Sequence, residues 1–186
     1  MQTTKNLTAL LGVMAIAGTL SGAAHADEKM NPTDHEFVNK VSQGNRAEIK
    51  SSQLALTKSR DKRVRMIATM LIQQHGKAQK DLKTVAQMHH VTLPAGTDSM
   101  HRQEYRMLSR MSGPSFDKSY MKGQVRDHNM TIALFNKELG KGNETHVRSF
   151  AAKYLPDIQN HTGMIHNVAS NLGIPVAASK MAAMAH

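Results

Sequence analysis

Four ionisable residues stand out because each sits in the middle of an apolar stripe. His75 has Ala68 seven residues before it and Leu82 seven after, with Leu71 and Ala78 between. His128 lies likewise between Met121 and Phe135, His161 between Tyr154 and Val168, and Glu48 between Val41 and Ala55. On a helix, a seven-residue step returns to within about 20° of the same direction, so each group faces the side its helix should bury. A buried charge is costly unless it is paired or bound to a metal. Imidazoles and carboxylates converging between helices are also how bundles build metal sites. One carboxylate with three ring nitrogens suits zinc, iron(II) or copper(II), without choosing among them. The competing explanation is a metal-free polar layer in which Glu48 is hydrogen-bonded to the histidines.

Positioning these groups requires four long helices. "NPTDHEF" offers Thr33 or Asp34 as an N-cap, with Glu36 at capping-box distance from Thr33. The first helical pattern runs to about Lys58, and Ser59 or Asp61 caps a second that lasts to about His90. "VTLPAGTDS" reads as a loop and "MHRQEYRMLSRM" as a short helix. The third long helix starts near Ser115 and stops at "LGKGN"; the fourth starts near Glu144 and runs to "NLGIP". Short turns make antiparallel hairpins of the first and second pairs, and the stretch from about 91 to 113 can travel the length of a bundle. The expected fold is therefore all-α, a ferritin-like four-helix bundle with a long crossover carrying a short extra helix. A plain up-down bundle is the alternative. Counted from the hairpin turns, Glu48 and His75 differ in depth by ~6 Å, and His128 and His161 by ~9 Å. Pro156 should kink the fourth helix one turn before His161.

The chain ends narrow the setting. Lys5, the run "LTALLGVMAIAGTLSGAA" and the small residues Ala24 and Ala26 have the layout of a secretory signal peptide, cleaved after Ala26. Residues 27–175 then form one bundle domain, and 176–186, "VAASKMAAMAH", a flexible tail. No further run is apolar enough to span a bilayer, and there is no cysteine for a disulfide or lipid anchor. The expected location is outside the cytoplasm: the periplasm, with association to the outer membrane as a variant. Removing Lys5 lowers the net charge from +10 to +9. Lys and Arg are scattered among acids and aromatic residues are few, so nucleic acid is not expected as a partner. Anionic envelope components are the partners such a surface favours. Oligomeric state is left open.

Four segments, "FVNKVSQGNRAEIKSSQLAL", "IATMLIQQHGKAQKDLKTVA", "SGPSFDKSYMKGQVRDH" and "FAAKYLPDIQNH", together resemble the bacterial family known as domain of unknown function 4142. The resemblance spans roughly residues 34–172. It implies an exported protein, often labelled as an outer-membrane protein, with a ferritin-like fold and no established activity. The family's recurrent polar positions correspond to Glu48, His75, Asp127, His128 and His161. The resemblance thus adds Asp127 as a residue that would orient or tune a ligand, beside Gln74, which stands where the family often has Asp before the histidine. Glu48 is followed three positions on by Ser51, so the Glu-x-x-His pair of di-iron bundles is missing.

Other chemistry is thinly represented. No cysteine nucleophile, Gly-x-Ser-x-Gly elbow or phosphate loop is present, so any enzymatic activity would have to come from the metal. Asp157 and His161, four apart, are placed to pair. Met88, His89, His90, Met100, His101, Met107 and Met111 surround the crossover, and Met181, Met184 and His186 end the tail; such thioethers and imidazoles suit Cu(I). Met107 and Met111 read more simply as one apolar helix face. The leading expectation is divalent-metal binding between the helices, for envelope stress or metal handling. Its rival is a non-enzymatic envelope binding or structural protein with a metal-free polar layer and a basic surface.

Overall fold

A computed structural model describes residues 29–176; the expected leader, with its cleavage after Ala26, and residues 177–186 of the expected tail lie outside them. Among the described residues all regular structure is helical: α1 (Pro32–Lys58), α2 (Lys62–Met88), α3 (Ser99–Ser109), α4 (Gly113–Lys141) and α5 (Thr145–Asn171). None is long and apolar enough to cross a membrane.

The first cap lies upstream of the expected Thr33 or Asp34. Asn31 accepts the amides of Thr33 and Asp34 at 2.7 and 3.0 Å, while the Asp34 carboxylate accepts the Asn31 amide at 2.6 Å. The capping box is thus Asn31–Asp34, and Pro32 at the first helical position lacks only an amide that would have had no helical partner. Asp61 caps α2, and Ser59 instead closes α1. α2 stops at Met88, two residues short of His90, which turns the chain with a φ of 53°. α5 passes through Pro156 as one unbroken helix.

α1 packs on α2 and α4, and α5 on α4 and α2. At one end, Asn31 donates to the Lys141 carbonyl and His89 meets Glu144, so the α1 start, the α2 end and the α4–α5 turn share a level. The segment 89–112 must therefore carry the chain back to the other end before α4 begins. This is two antiparallel hairpins joined by one long crossover, the ferritin-like arrangement. α3 buries only Leu108 fully. A Cβ at Gly123 would lie 2.1 Å from Glu104 Oε1, so glycine there lets α3 approach α4. Met107 is 45 % exposed while Met111 packs partly buried, so the two do not form a single buried face.

The core is in two parts. Phe37, Val38, Leu82, Phe135 and Phe150 fill the end beside the α4–α5 turn. Val64, Ile67, Leu71, Phe116, Met121 and Ile165 fill the other. Asn45, Glu48, His75, Gln124, His128 and His161, all buried, belong to neither cluster. An apolar side chain fully buried at such a position would contribute ~1.5–3 kcal/mol, so a buried polar layer forgoes stability that packing could have supplied.

Candidate metal centre

Three of the four residues picked out in the sequence converge. The rings of His75, His128 and His161 stand 5.5–5.7 Å apart, centroid to centroid, and one nitrogen from each lies within 4.8 Å of the others. The expected depth difference between His128 and His161 does not separate them.

One hydrogen-bonded nitrogen on each ring fixes which nitrogen keeps its lone pair. His128 Nδ1 lies 3.1 Å from the Gln124 carbonyl, which only accepts, so that nitrogen carries the proton and Nε2 carries the lone pair. His75 Nδ1 donates to Asn45 Oδ1 at 2.8 Å. Asn45 is itself held by Gln79, and Gln79 by Ser42. His161 Nε2 donates to Gln74 Oε1 at 2.6 Å. The second nitrogens, His75 Nε2, His128 Nε2 and His161 Nδ1, are buried and have no hydrogen-bond partner among the described residues. A protonated ring nitrogen held by an oxygen acceptor, with the other nitrogen's lone pair free, is how metal-binding histidines are oriented.

Distances leave room for an ion. Atoms no more than 4.8 Å apart have a common point within ~2.8 Å of each, and zinc–imidazole bonds are ~2.0–2.1 Å, so small ring movements close the site. The electrostatics keep the nitrogens available. Burial, with the neighbouring histidines, holds His75 well below the usual imidazole range and takes His128 down to about 3. Burial lowers His161 too. All three are neutral at pH 7, the form that binds metals.

Glu48 stands beside this set rather than in it. Its Oε1 is 3.9 Å from His128 Nδ1, the nitrogen bonded to the Gln124 carbonyl, and its Oε2 has no hydrogen-bond partner among the described residues. Burial and the charge of Asp127 push its carboxyl up to about 8. Asp127 serves another network: it pairs with Arg126 at 2.8 Å and lies 3.6 Å from His101, which α3 supplies. Burial works against His101 protonation, but Asp127 and Asp98 outweigh it and raise that imidazole to about 9. The pairing considered for Asp157 and His161 gives way to the Gln74 bond; Asp157 acts on His161 only through its charge. An open-mouthed cleft of about 570 Å³ has Glu48, Asn45 and His75 in its lining, with Val41, Phe135 and Ile158 among its apolar walls.

A second group is not apparent from the sequence. His89, Glu144 and His146 also bring one ligand atom each within 4.8 Å. In the sequence His89 stands out only as part of the Met/His segment. Glu144 and His146 lie more than fifty residues away, and only the return of the chain at the bundle end unites them.

These features define a class: an antiparallel four-helix bundle with one crossover, carrying three converging neutral imidazoles between its helices. The chain belongs to the family described as "Domain of unknown function (DUF4142)", whose profile matches residues 19–168. No curated protein matches it significantly. Among solved structures it is similar to a DUF305 fragment from Deinococcus radiodurans, with TM-score 0.68 and 13% identity, covering 77% of this chain and 99% of that one. It is also similar to a DUF305 protein from Streptomyces coelicolor, provisionally labelled as secreted, with TM-score 0.67 and 10% identity over 80% and 97% of the two chains. A conserved hypothetical protein, rv2844, from Mycobacterium tuberculosis follows at TM-score 0.58 and 16% identity, covering 79% and 96%. At these identities the likeness concerns the fold.

Proposed function

We propose that this chain is an exported protein that binds one divalent transition-metal ion between its helices, in envelope metal handling or stress defence. His75, His128 and His161 supply the ligands. Glu48 is the fourth group: a neutral acid in the metal-free protein, it gives up its proton when the cation arrives and offsets part of its charge. Gln74 orients His161, and Asp127 acts on the site by charge through Glu48. The reading is carried by one observation: each histidine has one nitrogen tied to an oxygen acceptor and the other buried without a partner. Zinc, iron(II) and copper(II) all suit three imidazoles and a carboxylate. The missing Glu-x-x-His pair argues against ferritin-type di-iron chemistry.

Cobalt(II) titration of untagged mature protein, followed by visible absorption, tests the proposal. The expected result is a ligand-field band that saturates and that loses, in His128→Ala, the share due to the ion held between the helices. An unchanged band in that variant would refute the assignment of this site. No band in either, with equal zinc binding by both, would favour the rival: a structural polar layer in a protein whose basic surface meets anionic envelope components.

A further inference from the structure

At the end of the bundle where the α4–α5 turn lies, two imidazoles and a carboxylate meet across segments far apart in sequence. Glu144 caps α5, its Oε2 accepting the Val147 amide at 2.7 Å, which fixes the carboxylate. Its Oε1 lies 3.2 Å from His89 Nε2, at the C-cap of α2, and 2.9 Å from His146 Nδ1. The two rings are 5.6 Å apart. In a tetrahedral zinc site with bonds of ~2.0–2.1 Å, neighbouring ligand atoms are ~3.3–3.4 Å apart, so these nitrogen–oxygen distances need little adjustment.

Two further buried acids lie beneath the same turn. Asp34 is fully buried beneath the same turn and accepts the Asn143 and Glu144 amides at 3.2 and 3.4 Å. Glu138 is fully buried as well, and neither of its oxygens has a hydrogen-bond partner among the described residues. A Cβ at Gly142 would lie 2.0 Å from Glu138 Oε1 and 2.7 Å from Asp34 Oδ1, so both carboxylates crowd onto the glycine of this turn. Glu144 is buried but the His146 side chain is 54% exposed, which leaves the group reachable from solvent.

We propose that His89, Glu144 and His146 form a second divalent transition-metal site, open to solvent and separate from the one between the helices. Two imidazoles with one carboxylate select zinc, copper(II) or nickel over magnesium and calcium. Three protein ligands leave a coordination position for water or for a chelating ligand, the arrangement of sites that exchange metal or act on a bound molecule. This proposal does not depend on the His75, His128 and His161 set.

The test is zinc titration calorimetry at pH 7.5 on untagged mature protein, His146→Ala and His128→Ala, with circular dichroism melts as a check on folding. His146 is exposed, so its variant should fold. The wild type is expected to bind two zinc ions, and His146→Ala to keep one while affinity for the other drops at least ~100-fold. If the wild type binds one ion, lost in His146→Ala but not in His128→Ala, this site stands and the reading of the other fails. Equal stoichiometry and affinity in the wild type and His146→Ala would overturn it. So would a single ion lost only in His128→Ala, leaving His89 and His146 as hydrogen-bond partners of an N-cap carboxylate.

Discussion

Replacing Glu48 by Gln should stabilise the metal-free protein at neutral pH and above, but not in acid. The Glu48 carboxyl is pushed from its ordinary 4.5 up to about 8, chiefly by burial and then by the Asp127 charge. Below 4.5 the group is protonated in folded and unfolded chains alike, and its contribution to stability is complete. Between 4.5 and 8 the unfolded chain ionises it while the folded chain keeps the proton, so stability falls as pH rises. Above about 8 both forms are ionised and the loss levels off. Each pH unit inside the window is worth about 1.36 kcal/mol, so at pH 7 the accumulated loss is on the order of 3 kcal/mol. Glutamine has nearly the same shape and does not titrate. Glu48→Gln should therefore gain about 3 kcal/mol over wild type between pH 4 and pH 7, or ~6–12 °C in Tm for a chain of this size. The assay is urea denaturation of chelator-treated protein at half-unit pH steps. Glu138, also raised to about 8 by burial and the Asp34 carboxyl, adds the same slope to both proteins and cancels in the difference. A difference between the two that stays constant within ~0.5 kcal/mol from pH 4 to pH 8, against the linkage slope, would refute the reasoning.

Metal binding should release about one proton at pH 7, since His75 and His128 are already neutral and Glu48 holds the only titratable proton of the set; calorimetry in buffers of different ionisation enthalpy counts it, and release near zero would mean that Glu48 stays neutral beside the ion. Gln74→Leu should weaken metal affinity ~10–100-fold while leaving the stoichiometry of this site intact, because it removes the acceptor that orients His161; an unchanged dissociation constant in a competition titration would show that Gln74 does not position that ring. His128→Leu should abolish binding between the helices yet leave the metal-free protein within ~1 kcal/mol of wild type, or more stable, because an apolar group replaces a buried nitrogen without a partner. Denaturation of that variant gives the answer, and a loss beyond ~3 kcal/mol would point to a structural role.

The fold was legible because long amphipathic segments separated by short turns leave few other arrangements. The candidate ligands were legible for a related reason: a polar residue inside a repeating apolar stripe has nowhere to go but inward. His75, His128 and His161 followed that logic. Glu48 did so only in part, because facing inward does not fix depth, and its carboxyl lies near the protonated nitrogen of His128. The resemblance pointed to Asp127, but its partner His101 lay beyond sequence reasoning because it comes from α3, whose position follows from the crossover path and the missing side chain at Gly123. α1 starts earlier than its sequence pattern suggests for a local reason: Asn31 and Asp34 form the capping box that Thr33 and Glu36 also match by spacing. The His89, Glu144 and His146 group carries no periodic signal, since His89 is a helix-end residue and the other two flank a turn.

The most direct measurement is the metal content of untagged mature protein purified from its native compartment, by mass spectrometry, beside His128→Ala. The account predicts a near-stoichiometric transition metal attributable to the site between the helices in the wild type, absent from the variant. Equal metal in both, or none in either with His128→Ala only lowering the melting temperature, would contradict it.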